Sequence, residues 1–192
     1  MEEEAPWLLV VSSPCTRFST RQNFNINKIE VDEAYRRMKG AMTNVAFAVL
    51  PSLRPAKAGR KFVFEHSVGA SSWRTALLNR LFFVKDGARV DFDFCILGMK
   101  SKDADGEAPA KKRTGMTNSP MVVEELGKNQ CDKNHRHAIL SDDRAEACQE
   151  YAPELCELVC KTVMKEPERA SRSGSGRKLR KSRKKRPIFL NK

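Results

Sequence analysis

Apolar residues along this chain fall into short runs, separated by stretches where they recur at helical spacing. Residues 7–12, WLLVVS, are one such run, closed by Ser13 and Pro14, and predict a buried strand whose carboxyl end opens into a loop. Val31, Ala34, Tyr35, Met38, Met42, Val45, Ala46 and Val49 share one helical face. They predict an amphipathic helix over 30–50, slightly weakened by Gly40 and ended by Pro51. RKFVFEH (60–66), entered from Gly59, reads as a second strand, and SSWRTALLNRLFF (71–83) as a serine-capped helix. ARVDFDFCIL (88–97) is a third strand, and KRTGMTN (112–118) a fourth that pairs with it across the polar loop 99–110. Helical stretches follow near 120–127 and 153–165. Strands separated by helices of this length imply crossover connections, hence an α/β fold with a mostly parallel sheet and helices on both faces.

Composition divides the chain. Its 192 residues, 40% of them hydrophobic, suffice for one ordinary core plus a tail. Twelve Lys/Arg and only two Glu lie between Lys165 and Lys192, so ten of the twelve net positive charges belong to the carboxyl end. Such a segment buries too little apolar surface to offset its ordering entropy, which predicts a folded domain over 1–165 and a disordered basic tail over 166–192. Within the tail, Arg177, Lys178, Arg180, Lys181, Arg183, Lys184, Lys185 and Arg186 form the pattern of a nuclear-import signal or a phosphate-binding arm. Nucleic acid is the expected partner, bound without sequence preference and weakly in high salt, in a protein placed in the nucleus. Phe189 is the tail's only aromatic residue, so base stacking contributes little. No apolar stretch reaches the roughly 18 residues that span a bilayer, which predicts no membrane association. The acidic start and its short apolar run do not match a secretory signal, so the six cysteines are expected as free thiols in a reducing compartment.

Two groups of residues carry candidate chemistry. In CDKNHRH, Cys131, His135 and His137 bring a thiol and two imidazoles together within seven residues, and Cys95 or Cys148 completes four ligands for zinc. The competing reading is a surface histidine pair on a turn. Cys156 and Cys160 lie one helical turn apart among Leu155, Leu158 and Val159 and are expected to face the core. Trp73 is expected to pack rather than stack on bases. The second group centres on Cys15, a thiol delivered by the end of the first strand and, at the start of a possible helix, favoured as thiolate.

SSPCTRFS resembles the Pro-Cys loop of the cytosine-5 DNA methyltransferases, usually Pro-Pro-Cys-x-x-Phe-Ser, with Ser13 in place of the first proline. FVFEHS is similar to the family's Glu-Asn-Val strand end: Glu65 matches the acid, while His66 and Ser67 replace Asn and Val. KKRTG resembles the later arginine-bearing motif, with Arg113 in the matching place. The chain resembles still more closely the methyltransferase-like segments of retrotransposon-type polyproteins of protists. That likeness runs through SPCTRFSTRQN, FEHSVGASSW, VDFDFCILGMKSKD, KKRTGMTNSP, HRHAIL and YAPELC, covering residues 7–160.

The resemblance implies part of a Rossmann-like sheet. It also implies that the Cys15 thiolate adds to carbon 6 of a flipped cytosine, Glu65 protonates ring nitrogen 3, and Arg113 holds a phosphate or orients the base. His66 has no catalytic counterpart in the family and is assigned a structural role. The methyl donor implied is S-adenosylmethionine, which needs a glycine-rich turn for close backbone approach. No Gly-x-Gly occurs before residues 174–176, and the first strand matches the one that bears the family's cysteine. The donor-binding half and the target-recognition region are therefore expected to be missing. The expectation is a truncated, inactive methyltransferase-like domain derived from a mobile element, idle unless another chain supplies the donor half and covers the apolar sheet edge. The alternative is a non-enzymatic module that binds nucleic acid through its tail.

Overall fold

The computed structural model describes residues 6–19, 28–100, 108–109, 112–138 and 150–172. Strands β1 (Leu8–Ser12), β2 (Lys61–Ser67), β3 (Ala88–Asp93) and β5 (Lys112–Thr117) form one sheet in the order β1-β2-β5-β3. A small parallel pair joins β4 (Ala108–Pro109) to β6 (His137–Ala138).

The sheet is mixed. β1 and β2 pair in parallel from Leu8↔Lys61 to Ser12↔Glu65, whereas β5 is antiparallel to both of its neighbours. This corrects the mostly parallel, partial Rossmann-like sheet implied by strand and helix alternation. The reason lies in β5, which doubles back after β3, pairs with it as the sequence pattern implies, and inserts between β3 and β2. β1, β2 and β3 share one direction, but β2 and β3 never meet, so one ladder alone is parallel.

Side chains alternate across this sheet and build two cores. Phe62, Phe64 and Met116 face α1 (Val31–Lys57) and the short α2 (Ala76–Asn79). Val63, Val90 and Phe92 face α3 (Pro120–Gly127) and α4 (Pro153–Arg172). Helices thus cover both faces, as the crossover argument requires.

Two helices depart from their expected bounds. α1 runs through Pro51 and Pro55 to Lys57. An interior proline costs about 3 kcal/mol, but ending the helix at Pro51 would take the buried Leu53 off the sheet, and each such side chain contributes roughly 1.5–3 kcal/mol. Phe47, whose carbonyl loses its helical donor to Pro51, lies on the exposed side of the helix, so that carbonyl is not shut into the core. α1 stops at Gly59, whose positive φ lets Arg60 N–H reach the Pro55 carbonyl at 2.8 Å and Gly59 N–H reach that of Ala56 at 3.2 Å. The expected helix over 71–83 is instead a 3-10 turn (Ser71–Arg74), α2 and a second 3-10 turn (Arg80–Phe83). Thr75, in extended conformation, interrupts it, capping α2 by accepting from Leu78 N–H while its hydroxyl donates to the Ser72 carbonyl at 2.7 Å.

α3 forms over the expected stretch, with Ser119 as its cap. The Ser119 hydroxyl also donates to Glu166 on α4 at 2.7 Å, and Lys61 of β2 reaches the other oxygen of that carboxylate at 2.9 Å. The tether holds α4 at Glu166, just past the apolar stripe marking 153–165, and the helix itself runs to Arg172. The tail's eight clustered basic residues lie outside the described residues.

Candidate functional site

β1 ends at Ser12, and Ser13-Pro14 turns the chain so that Cys15 begins a single 3-10 turn, Thr16–Phe18. Phe18 N–H bonds the Cys15 carbonyl at 2.9 Å, and the Phe18 ring is buried in the core beneath, pinning the loop. A three-residue turn carries no appreciable helix dipole, so the environment of this thiol is set by other residues.

The register of β2 against β5 supplies them. Glu65 and Ser67 share one face of β2, and Arg113 sits directly opposite Ser67 and diagonal to Glu65. Glu65 is paired across the ladder with Gly115, which has no side chain to contest the space. Arg113 Nε forms an ion pair with Glu65 Oε1, and both side chains are buried. Arg113 Nη1 donates to Ser67 Oγ at 2.6 Å and lies 3.8 Å from Cys15 Sγ, while the Ser67 hydroxyl donates to that sulfur at 3.1 Å. Tyr151, just ahead of α4, donates to Glu65 Oε2 at 3.1 Å. Burial raises the pKa of Tyr151, which keeps it a donor. Beneath the group, the Phe94 ring lies 5.7 Å from the Arg113 guanidinium carbon and packs edge-on against Tyr151 at 6.2 Å.

The structure therefore brings Cys15, Glu65 and Arg113 together in one cluster. It adds Ser67 and Tyr151, to which the sequence pattern assigns no role in the site. Ser67 was findable, since it lies two positions from Glu65 on a strand. Nothing in the sequence around Tyr151 links it to residues so far upstream.

His66 points to the opposite face, among Phe18, Phe64 and Trp73. Burial holds its pKa down at about 4, so it is neutral; its Nδ1 lies 3.4 Å from Ser13 Oγ and its Nε2 has no partner. Trp73 is buried and donates from its ring to the Ser67 carbonyl at 2.8 Å.

A second cluster forms where the turn after β3 meets the loop after α3. Ligand atoms of Cys95, Cys131, His135 and His137 all lie within 4.8 Å of one another. Cys131 Sγ is 3.4 Å from His137 Nε2 and 3.8 Å from His135 Nε2. Lys133, at φ 63°, turns its N–H onto that sulfur at 3.3 Å, and Asp93 accepts from Cys131 N–H at 2.9 Å. Burial, followed by the neighbouring Cys131, pushes the Cys95 thiol up to about 11. Two thiols and a carboxylate crowded together are the surroundings that a bound cation relieves. Cys95 is thus the fourth member of the set; Cys148 lies outside the described residues.

Cys156 and Cys160 do not face the core. Both are exposed, because the buried stripe of α4 runs through Leu155, Val159 and Val163, and each cysteine is rotated one residue off it. They border an apolar cavity of about 330 Å3 between α4 and the sheet.

No family model matches this chain, and no curated protein or solved structure matches it at a significant level. No helix among the described residues is long and apolar enough to cross a membrane.

Proposed function

We propose that this domain carries the base-binding and nucleophilic part of a cytosine-5 methyltransferase-type site, related to the mobile-element segments it resembles. The observation that supports it is the meeting of Cys15 Sγ, the Arg113 guanidinium and the Glu65 carboxyl at the ends of β1, β2 and β5. Arg113 and Ser67 both present hydrogen to the sulfur, which favours a thiolate, and the thiolate is the nucleophile. Addition forms a bond from sulfur to carbon 6 of the pyrimidine. The electron pair of the 5,6 double bond shifts into the ring, where nitrogen 3 takes a proton from Glu65, whose carboxylate picks it up from water as the arriving base displaces the ion pair with Arg113. Carbon 5 is then nucleophilic and takes either a methyl group from a donor or a proton from water; loss of the carbon 5 hydrogen to water, expulsion of the thiolate and return of the nitrogen 3 proton to Glu65 restore the ring. An arriving base takes over hydrogen bonds that Glu65 and Arg113 now spend on each other.

Methyl transfer requires a donor site, and no Gly-x-Gly turn occurs in residues 1–172 to help form one. The half-reaction within reach of these residues is addition with exchange of the hydrogen on carbon 5. DNA tritiated at carbon 5 of cytosine is expected to release its label to water with the protein present and no methyl donor. Cys15→Ala is expected to reduce release to the buffer background. Equal release from both proteins would discard the reading.

The cluster at Cys95, Cys131, His135 and His137 is read as a zinc site, because two thiolates and two imidazoles brought within 4.8 Å of one another are a donor set that suits that ion. The basic run from Arg177 to Arg186 supports a nucleic-acid-binding arm in a nuclear protein, the function remaining to a non-enzymatic module if exchange is not found.

A further inference from the structure

The two clusters are joined by one residue. Phe94 is the immediate neighbour of Cys95, and its ring is the floor under Arg113 and Tyr151. Its carbonyl accepts both Leu97 N–H and Met99 N–H at 3.1 Å, so the turn carrying Cys95 closes on Phe94 itself. The other half of the metal set is tied to the same place, through Asp93 N–H to the Asn129 carbonyl at 2.8 Å and Cys131 N–H to the Asp93 carboxylate. Four protein ligands fill a tetrahedral ion and leave no open position, which marks a site that holds structure rather than activates water. Adjacent Cα atoms are about 3.8 Å apart, so fixing Cys95 on a metal limits where Phe94 can go.

We propose that metal bound by Cys95, Cys131, His135 and His137 locks Phe94 against Arg113 and Tyr151, and thereby assembles the hydrogen-bonding surroundings of Cys15. Phe94 is a positioning residue that acts through Arg113. With the cluster empty, the 94–99 turn keeps the Asp93 hydrogen bonds but loses the direct link from Cys95 to the 131–137 loop, the aromatic floor loosens, and the guanidinium is held less closely to the sulfur. This inference rests on the zinc reading and is independent of whether the substrate is cytosine.

The test uses the full chain, stripped by a chelator and reloaded with Zn2+, with zinc content and the alkylation rate of each cysteine by iodoacetamide read from peptide masses. One zinc per chain is expected, with Cys95 and Cys131 protected on loading. Cys15 is expected to react about 5-fold faster in the loaded protein, since the thiolate is the reactive form. Cys156 and Cys160, exposed on α4, serve as internal references with constant rates. Phe94→Leu is expected to bind zinc equally well yet react at Cys15 near the stripped rate. If zinc binds and Cys15 reacts equally with and without it, the coupling is overturned while the zinc site stands; if no zinc binds, the zinc reading itself falls. Should stripping unfold the protein, loaded Phe94→Leu decides alone, and an unchanged Cys15 rate in that variant overturns the proposal.

Discussion

Arg113→Ala is expected to destabilise the fold by about 3–5 kcal/mol, the cost of leaving one member of a buried ion pair without its partner. In a domain of this size that lowers the melting temperature by roughly 10 °C. The magnitude follows from burial: the side chains of Arg113 and Glu65 are only 7% and 4% exposed, so water cannot replace the lost partner. Tyr151 alone would still donate to Glu65, while Ser67 and Cys15 would lose the guanidinium altogether. Removing both charges is a different matter. Glu65→Met combined with Arg113→Met takes away the attraction together with its desolvation penalty, and is expected to recover most of the loss, as apolar replacements of buried pairs commonly do. Urea unfolding of the three proteins checks this. A single variant as stable as the parent would mean that the pair is not dry and that the thiol surroundings built on it are far softer than described.

Acid is expected to act through a different residue. His66 has its pKa pushed by burial from the ordinary 6.5 down to about 4, so the folded protein keeps it neutral where the unfolded chain protonates it. The unfolded state then binds more protons, and the contribution of His66, complete above its unfolded pKa, is lost as pH falls from about 6.5 towards 4. Between pH 7.5 and 5 the loss is roughly 2 kcal/mol. His66→Phe puts a ring of similar shape among Phe18, Phe64 and Trp73 and removes a buried nitrogen that has no partner, so its stability at pH 7.5 is expected to match or exceed the parent's. Carboxylates titrate alike in both proteins, so the difference between their pH profiles isolates the histidine. Parallel profiles would show that His66 is not the source.

Much of this arrangement is legible in residue order, and the reasons are local. Alternating and runs of apolar positions mark β1, β2, β3 and β5, because a strand's side chains divide between two faces wherever the strand ends up. Spacing marks α1 and α3 because a helix buries one stripe. Cys15 and Glu65 could be placed at neighbouring strand ends because each closes an apolar run, and parallel strands joined by a helix present those ends on one side. Cys131, His135 and His137 were visible as a set because they fit within one loop.

What residue order leaves open is every decision taken between distant segments. Periodicity records which face of a strand is buried and contains nothing about which strand lies beside it, so it does not reveal the insertion of β5 between β2 and β3, which makes the sheet mixed rather than mostly parallel. The same insertion sets Arg113 opposite Ser67 and makes the thiol surroundings. Tyr151 enters only because α4 packs over that face, and Cys95 joins the metal set only because Asp93 ties its turn to the loop after α3. Local sequence determined the elements and the chemical groups they carry; tertiary packing decided the partners, because the free energy that selects them arises from surfaces that meet only when the chain is closed.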